Sequence, residues 1–480
     1  MSKSTLKNKI ITGIFWKLLE NSSVQIITFI IQLILARLLL PEEFGIIALT
    51  LSFIVIANVF INTGFTSALI QKEEISNIEK STIFWVNLTI SFGLYLTIFI
   101  LAEDLAELFS SPILSDILKI QGITIVISSI ASVHNVILNR ELQFKKMFKY
   151  RLIAVLCQGG VGITLALKGL EIWSLVISNI VFTIIMTGTI LLVVKWRPEF
   201  RVSFEVLREL FTFSINIFLM NFLNALASNI QTFIIGKSFD ILTLGYYNRG
   251  QQFPLIIMQN IDGTINSVMF PALSKYQGDH IQFLGVFRRA LKTSVYIVFP
   301  ILMTLILVSE SLIFILLGEK WLPSVPFLII WCLICMTWPF SIRTNALNAL
   351  GKTKIALALN ISTQIISVIL MLVTLQLGIY ALVFSIFLAS VINFVIGVFI
   401  SKGVLKYSYL QQIKDIYPVI LLTLVTGGVM FFIGQVIENH YLKPIFQIIT
   451  GGITYLFSSI IFKVEAFSYL KTSLFNKKIG

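Results

Sequence analysis

Fourteen apolar segments, each long enough to cross a bilayer, follow one another along almost the whole chain, and this series constrains the fold more than any motif does. They lie near residues 12–36, 45–70, 81–102, 117–138, 149–167, 172–194, 211–235, 251–272, 291–317, 325–348, 355–375, 379–400, 416–437 and 445–463. A run of about 20 apolar residues spans the hydrocarbon as a helix. Only 12% of the 480 residues are charged and the mean hydropathy is +0.92, whereas soluble domains carry about 25% charge. The chain is therefore expected to be an all-α integral membrane protein of about 14 transmembrane helices. Its first apolar stretch runs on to Leu40 without a small-residue cleavage pattern, so it is read as a retained span rather than a removed signal.

Fourteen spans put both termini on one side. Assigning the termini and alternate loops to that side collects twenty-nine of the 36 Lys and Arg residues. Among them are Lys72, Arg140, Lys145, Lys195, Arg208, Arg288, Lys402 and Lys414. The other side keeps only Arg37, Lys119, Lys168, Lys237, Arg249, Lys320 and Lys443. Basic residues mark the cytoplasmic face, so both ends are expected there. The net charge of +13 is thus a topological signal. No soluble domain is long enough to present a nucleic-acid surface, and no nucleic-acid partner is expected.

Other chemistries find little support. Cys332 and Cys335 form a C-x-x-C pair inside an apolar run and read as packing residues. His134, His280 and His440 are scattered, so no metal site follows. Leu350–Gly351–Lys352–Thr353 looks like the end of a phosphate loop but lacks its first glycine and its βαβ setting, so no nucleotide is expected. The chain is not expected to be an enzyme and needs no cofactor. Energy would come from the substrate's own gradient or from coupling to H+ or Na+.

Two spans carry polar stripes. Asn21, Gln25, Thr28 and Gln32 recur at helical spacing in the first, and Asn221, Asn224, Ser228 and Gln231 or Thr232 do so in the seventh. Residues three and four apart share one helix face. Polar groups in hydrocarbon need partners or water, so the stripes read as opposite walls of an interior cavity, or else as glue between helices. Asn58, Asn62 and Thr66 of the second span and Asp262 and Asn266 of the eighth add to that interior. Asp262 reads as a coupling acid or as a structural ion-pair or capping residue. Arg37, Lys237, Arg249 and Arg343 could hold an anionic head group, or snorkel to the interface. Lys17 is a weaker candidate, because Glu20 one turn away neutralises it. The short segment Arg201–Glu209 reads either as a surface helix or as an extension of the seventh span.

The halves repeat. Leu35–Ala36–Arg37 with Phe44–Gly45 is answered two hundred residues later by Ile235–Gly236–Lys237 with Leu244–Gly245. Gly169–Leu170–Glu171–Ile172–Trp173 is answered by Gln376–Leu377–Gly378–Ile379–Tyr380. Two six-helix lobes, residues 1–200 and 201–405, are expected, followed by two further helices and a tail over 406–480. An even number of spans per repeat relates the lobes by an axis along the membrane normal. The last two helices shield the cavity or add a binding flank.

Gly13–Ile14–Phe15–Trp16, Ile34–Leu35–Ala36–Arg37–Leu38–Leu39–Leu40–Pro41–Glu42–Glu43–Phe44–Gly45, Gly64–Phe65, Leu138–Asn139–Arg140–Glu141–Leu142–Gln143–Phe144 and Tyr246–Tyr247–Asn248–Arg249–Gly250–Gln251 resemble bacterial polysaccharide flippases of the Wzx or WzxC-like kind, which implies a bacterial cytoplasmic (inner) membrane. That family sits within the multidrug/oligosaccharidyl-lipid/polysaccharide superfamily. The resemblance covers essentially the whole chain. It implies translocation of an undecaprenyl-pyrophosphate-linked oligosaccharide to the outer leaflet. Its partners would be the lipid-linked glycan, membrane lipids, and polysaccharide polymerase and export machinery. The competing expectations are an ion-coupled exporter of drugs or small cations, and a membrane scaffold that transports nothing.

Overall fold

The structure is a computed structural model. It describes residues 3–62, 66, 69, 70, 72 and 74–475, without the side chains of 3–15, 17, 18, 21, 22, 62, 212, 213, 264, 266–268 and 473–475. The side chains of Lys17, Asn21, Asn62 and Asn266 lie outside those described.

Long helices follow the apolar runs closely. They are α1 Lys3–Leu38, α2 Pro41–Asn62, α3 Asn77–Leu108, α4 Ile113–Gln121, α5 Ile123–Arg140, α6 Phe144–Leu167, α7 Glu171–Val193 and α8 Phe204–Ser238. There follow α9 Ile241–Lys275, α10 His280–Leu316, α11 Val325–Cys335, α12 Ile342–Ala349, α13 Thr353–Thr374, α14 Ile379–Leu405, α15 Tyr409–Val436, α16 Leu442–Ile461 and α17 Glu465–Phe475. Among the described residues, 12 helical stretches are long and apolar enough to cross a membrane. The described apolar part of α1 is the shorter Ser23–Leu38, and α9, though 35 residues long, is not among the twelve.

The helix ends explain several local features. Ser76 caps α3 in a box with Glu79, and Ser408 caps α15 with Gln411; each box satisfies backbone donors that the helix start leaves open. The Ser203 side chain accepts from Val206 N, so Phe204–Glu209 begins α8 itself. That resolves the choice at Arg201–Glu209 in favour of an extended seventh helix. Gly351 closes α12 at φ +72°, while Lys352 N donates to Leu347 O at 2.8 Å. The apparent phosphate-loop remnant is thus a left-handed helix stop. The fourth and tenth apolar runs each contain breaks, at Gln121–Gly122 and at Trp338–Ser341.

The chain forms two compact units, Met1–Gly245 and Tyr246–Gly480. In the first, α3, α5 and α8 enclose a core of Leu69, Ile83, Phe84, Val133, Val136 and Leu210. α8 packs along α2 through Phe233 on Phe53, with ring centroids 4.8 Å apart, and Phe218 on Phe60, 4.9 Å apart. In the second, α10 is central. Its Phe283, Phe287, Leu291 and Val295 pack with Tyr407, Ile416, Val419 and Tyr455. The last two membrane helices therefore dock on α10. Tyr455 Oη donates to Tyr296 O at 2.7 Å, and Tyr296 Oη donates to Ser459 Oγ at 2.9 Å.

Candidate functional site

The polar stripes stand on helices of the first unit. Gln25, Thr28 and Gln32 are half-buried on α1, and Asn221 and Gln231 are half-buried on α8, where Asn224 is exposed and Thr232 buried. Asn58 on α2 is half-buried and accepts from Ser128 Oγ of α5 at 3.2 Å. Asn87 continues that seam, its Nδ2 donating to Ser132 Oγ at 3.2 Å and Ile61 O at 3.3 Å. Glu20 is buried and pairs with Arg151 on α6 at 3.2 Å.

The cations fall into distinct settings. Arg37 is exposed in the last turn of α1. Lys237 Nζ donates to Leu108 O at 2.8 Å, capping the carbonyl end of α3, where a positive charge is favoured. In the second unit, Arg249 on α9 is only 4% exposed. Its guanidinium lies over the Trp321 ring at 5.4 Å and donates to Gln252 Oε1, one turn on. Gly250 beside it has no room for a Cβ, which would lie 2.7 Å from Ser324 O.

Arg343 on α12 is equally buried. It donates to Phe394 O at 3.1 Å and Gln412 Oε1 at 3.2 Å, between the rings of Phe340 and Phe394. The guanidinium thus joins α12, α14 and α15. Asp262, half-buried on α9, accepts from Ser341 Oγ at 3.4 Å. Asp262 and Arg343 are in this way brought to one short stretch, Ser341–Arg343.

Two charged constellations escaped sequence reasoning. Asp415 on α15 receives both Nε and Nη2 of Arg288, at 2.6 and 2.8 Å, with Lys292 at 2.9 Å and the Tyr407 hydroxyl at 2.5 Å. Lys292 also reaches Glu465 of α17 at 2.6 Å. Burial, then the hydrogen bond to Asp415, pushes the Tyr407 phenol up, so it stays a donor. In the first unit Arg140 Nη1 donates to the carbonyls of Leu69, Ile70 and Lys72. Lys72 bridges Glu79 at 2.5 Å and Glu209 at 3.0 Å, and these bonds raise its pKa. The only available signal was the residue types themselves, since the partners are far apart in the chain.

An apolar groove of about 380 Å³ runs between α10 and α16, lined by Val308, Leu312, Ile315, Leu316, Tyr441, Pro444, Ile445 and Ile448.

The chain is similar to the lipopolysaccharide biosynthesis protein WzxC of Escherichia coli (strain K12), at 22% identity over 91% of this chain and 90% of that protein. Among solved structures it resembles the lipid II flippase MurJ in an inward closed conformation, with a TM-score of 0.77, 20% identity, and 94% and 98% of the two chains covered. It also resembles an inward-facing multidrug resistance MATE transporter of the MOP superfamily, with a TM-score of 0.63, 14% identity, and 81% and 98% covered. The fold is therefore the many-helix MOP membrane fold. The model of one family matches residues 34–326, more than half of the chain, and the chain belongs to that family, the polysaccharide biosynthesis proteins.

Proposed function

We propose that this chain is a flippase that carries an undecaprenyl-pyrophosphate-linked oligosaccharide repeat unit from the cytoplasmic to the outer leaflet by alternating access. The observation that supports it most is the family match taken with a MurJ-like fold over 94% of the chain. In this reading fourteen helices are arranged as two lobes of six, residues 1–200 and 201–405, with two helices beyond them. Both termini lie in the cytoplasm. Arg37, Lys237, Arg249 and Arg343 are the candidate head-group cations, and Asn21, Gln25, Asn221, Asn224 and Gln231 are the polar wall. Guanidinium groups match pyrophosphate oxygens in geometry and charge, and Asp262 is the residue that couples movement to H+ or Na+.

The resemblance to a MATE transporter favours ion-coupled export of small cations as the second reading. A thermal-shift titration of the purified protein separates the two. Stabilisation by undecaprenyl-pyrophosphate glycan and not by cationic dyes supports the flippase; the reverse pattern supports the exporter.

A further inference from the structure

The stretch 195–203, which joins α7 to α8, is neither helical nor loose. An irregular segment at a helix end usually gives its backbone polar groups to water. Here side chains of α3 and α5 take them one after another. His134 Nε2 lies 3.3 Å from Trp196 O, and Trp85 Nε1 donates to Glu199 O at 2.8 Å. Glu199 N donates to Ser81 Oγ at 2.9 Å, and Ser203 N donates to Thr82 Oγ1 at 3.1 Å. Ser81 and Thr82 are fully buried and His134 nearly so, so their polar atoms face this segment rather than solvent.

Apolar contacts follow the same line. Phe200 stacks on Trp85 with ring centroids 4.9 Å apart. Trp196 meets the His134 ring edge-on at 5.1 Å and packs against both neighbouring cores of the first unit. A segment built to swing carries few buried contacts and solvent-exposed hydrogen bonds. This one is exposed along much of its length, Phe200 at 90%, yet four of its backbone groups are held by side chains of α3 and α5, and three of those side chains, Ser81, Thr82 and His134, are buried. The junction between the sequence repeats, at residue 200, falls in its middle.

We propose that 195–203 is a fixed strap that stays docked on α3 and α5 throughout the transport cycle. The first turns of α8 then move with the helices before them, and the conformational change is taken up beyond Ser203. This rests on the transport reading above. Ser81, Thr82, Trp85 and His134 act as positioning residues for the start of α8, and through it for the stripe of Asn221, Asn224 and Gln231. A junction that acts as a flexible tether would instead release these contacts in one of the two states.

Disulfide trapping tests it. In protein carrying Cys157→Ala, Cys332→Ala and Cys335→Ala, the pair S81C with E199C is oxidised in proteoliposomes, and the pair T82C with S203C separately. At least one pair is expected to cross-link to completion, equally fast with and without added undecaprenyl-pyrophosphate glycan. The cross-linked protein is expected to move glycan as fast as after reduction. Partial cross-linking of both pairs, slowing by glycan, or movement lost on oxidation and restored by reduction overturns the strap. Full, glycan-independent cross-linking in protein that moves no glycan in either redox state supports the strap and counts against the transport reading.

Discussion

Gly45 and Gly245, two hundred residues apart and at equivalent steps of the two repeats, meet reciprocally at the first turns of α2 and α9. A Cβ on Gly45 would stand 2.1 Å from Ile241 O, the first carbonyl of α9, and one on Gly245 would stand 2.0 Å from Pro41 O, the first carbonyl of α2. Each helix start therefore packs on the other with bare backbone, the close approach that small residues permit between membrane helices.

Alanine at either glycine forces two backbones apart, because the obstructing atoms are carbonyl oxygens and not flexible side-chain ends. Gly45→Ala or Gly245→Ala is expected to cost about 1–3 kcal/mol. The same substitution at Gly93, which has open space around it, is expected to be neutral or slightly stabilising. Thermal unfolding in detergent checks the contrast: the first two lower Tm and the third does not.

The Asp415 cluster anchors α15 to α10. Its carboxylate is 4% exposed and faces Arg288 and Lys292, so Asp415→Ala takes the acceptor from Arg288 and from the Tyr407 hydroxyl, while Lys292 keeps Glu465. Losing these charge-assisted hydrogen bonds is expected to cost about 1.5–3 kcal/mol. Glu465, 68% exposed, holds Lys292 from the rim, and Glu465→Ala is expected to cost about 0–1 kcal/mol. Urea or thermal unfolding of the two variants gives this order; equal losses would mean that the cluster does not hold α15.

Much of this was legible in the chain. The helices were, because apolar runs of bilayer length leave few alternatives, and Gly45 and Gly245 were visible as matching x-Gly steps two hundred residues apart. The breaks at Gln121–Gly122 and Trp338–Ser341 were not, since hydropathy runs on through them. Arg249 stood out as one of the few cations assigned to the outer side, but its cover by Trp321 comes from tertiary packing. Arg288 and Asp415 are 127 residues apart, and no local pattern joins them. Spacing put Asn58 on a polar face of its helix but did not show that Ser128 would donate to it.

Arg343 and Arg37 are both candidate cations but sit differently. Arg343 ties three helices through Phe394 O and Gln412, whereas Arg37 is exposed at a helix end. Arg343→Ala is expected to lower stability by about 2–3 kcal/mol. Arg37→Ala is expected to lower Tm less than Arg343→Ala while weakening head-group binding. Equal Tm for the two variants would contradict the structural role of Arg343.

Asp262→Asn keeps an acceptor for Ser341 Oγ and removes the charge. If Asp262 couples transport to an ion, the variant folds normally and its translocation no longer responds to an imposed H+ or Na+ gradient. An unchanged gradient response removes Asp262 from that role.

Leaflet translocation of a fluorescent undecaprenyl-pyrophosphate glycan by the purified protein in liposomes tests the central claim most directly, with Arg249→Ala alongside. The flippase account predicts that wild-type protein moves the glycan lipid between leaflets and that the folded Arg249→Ala variant moves it markedly more slowly. Correctly folded wild-type protein that leaves the glycan lipid in its starting leaflet would contradict it.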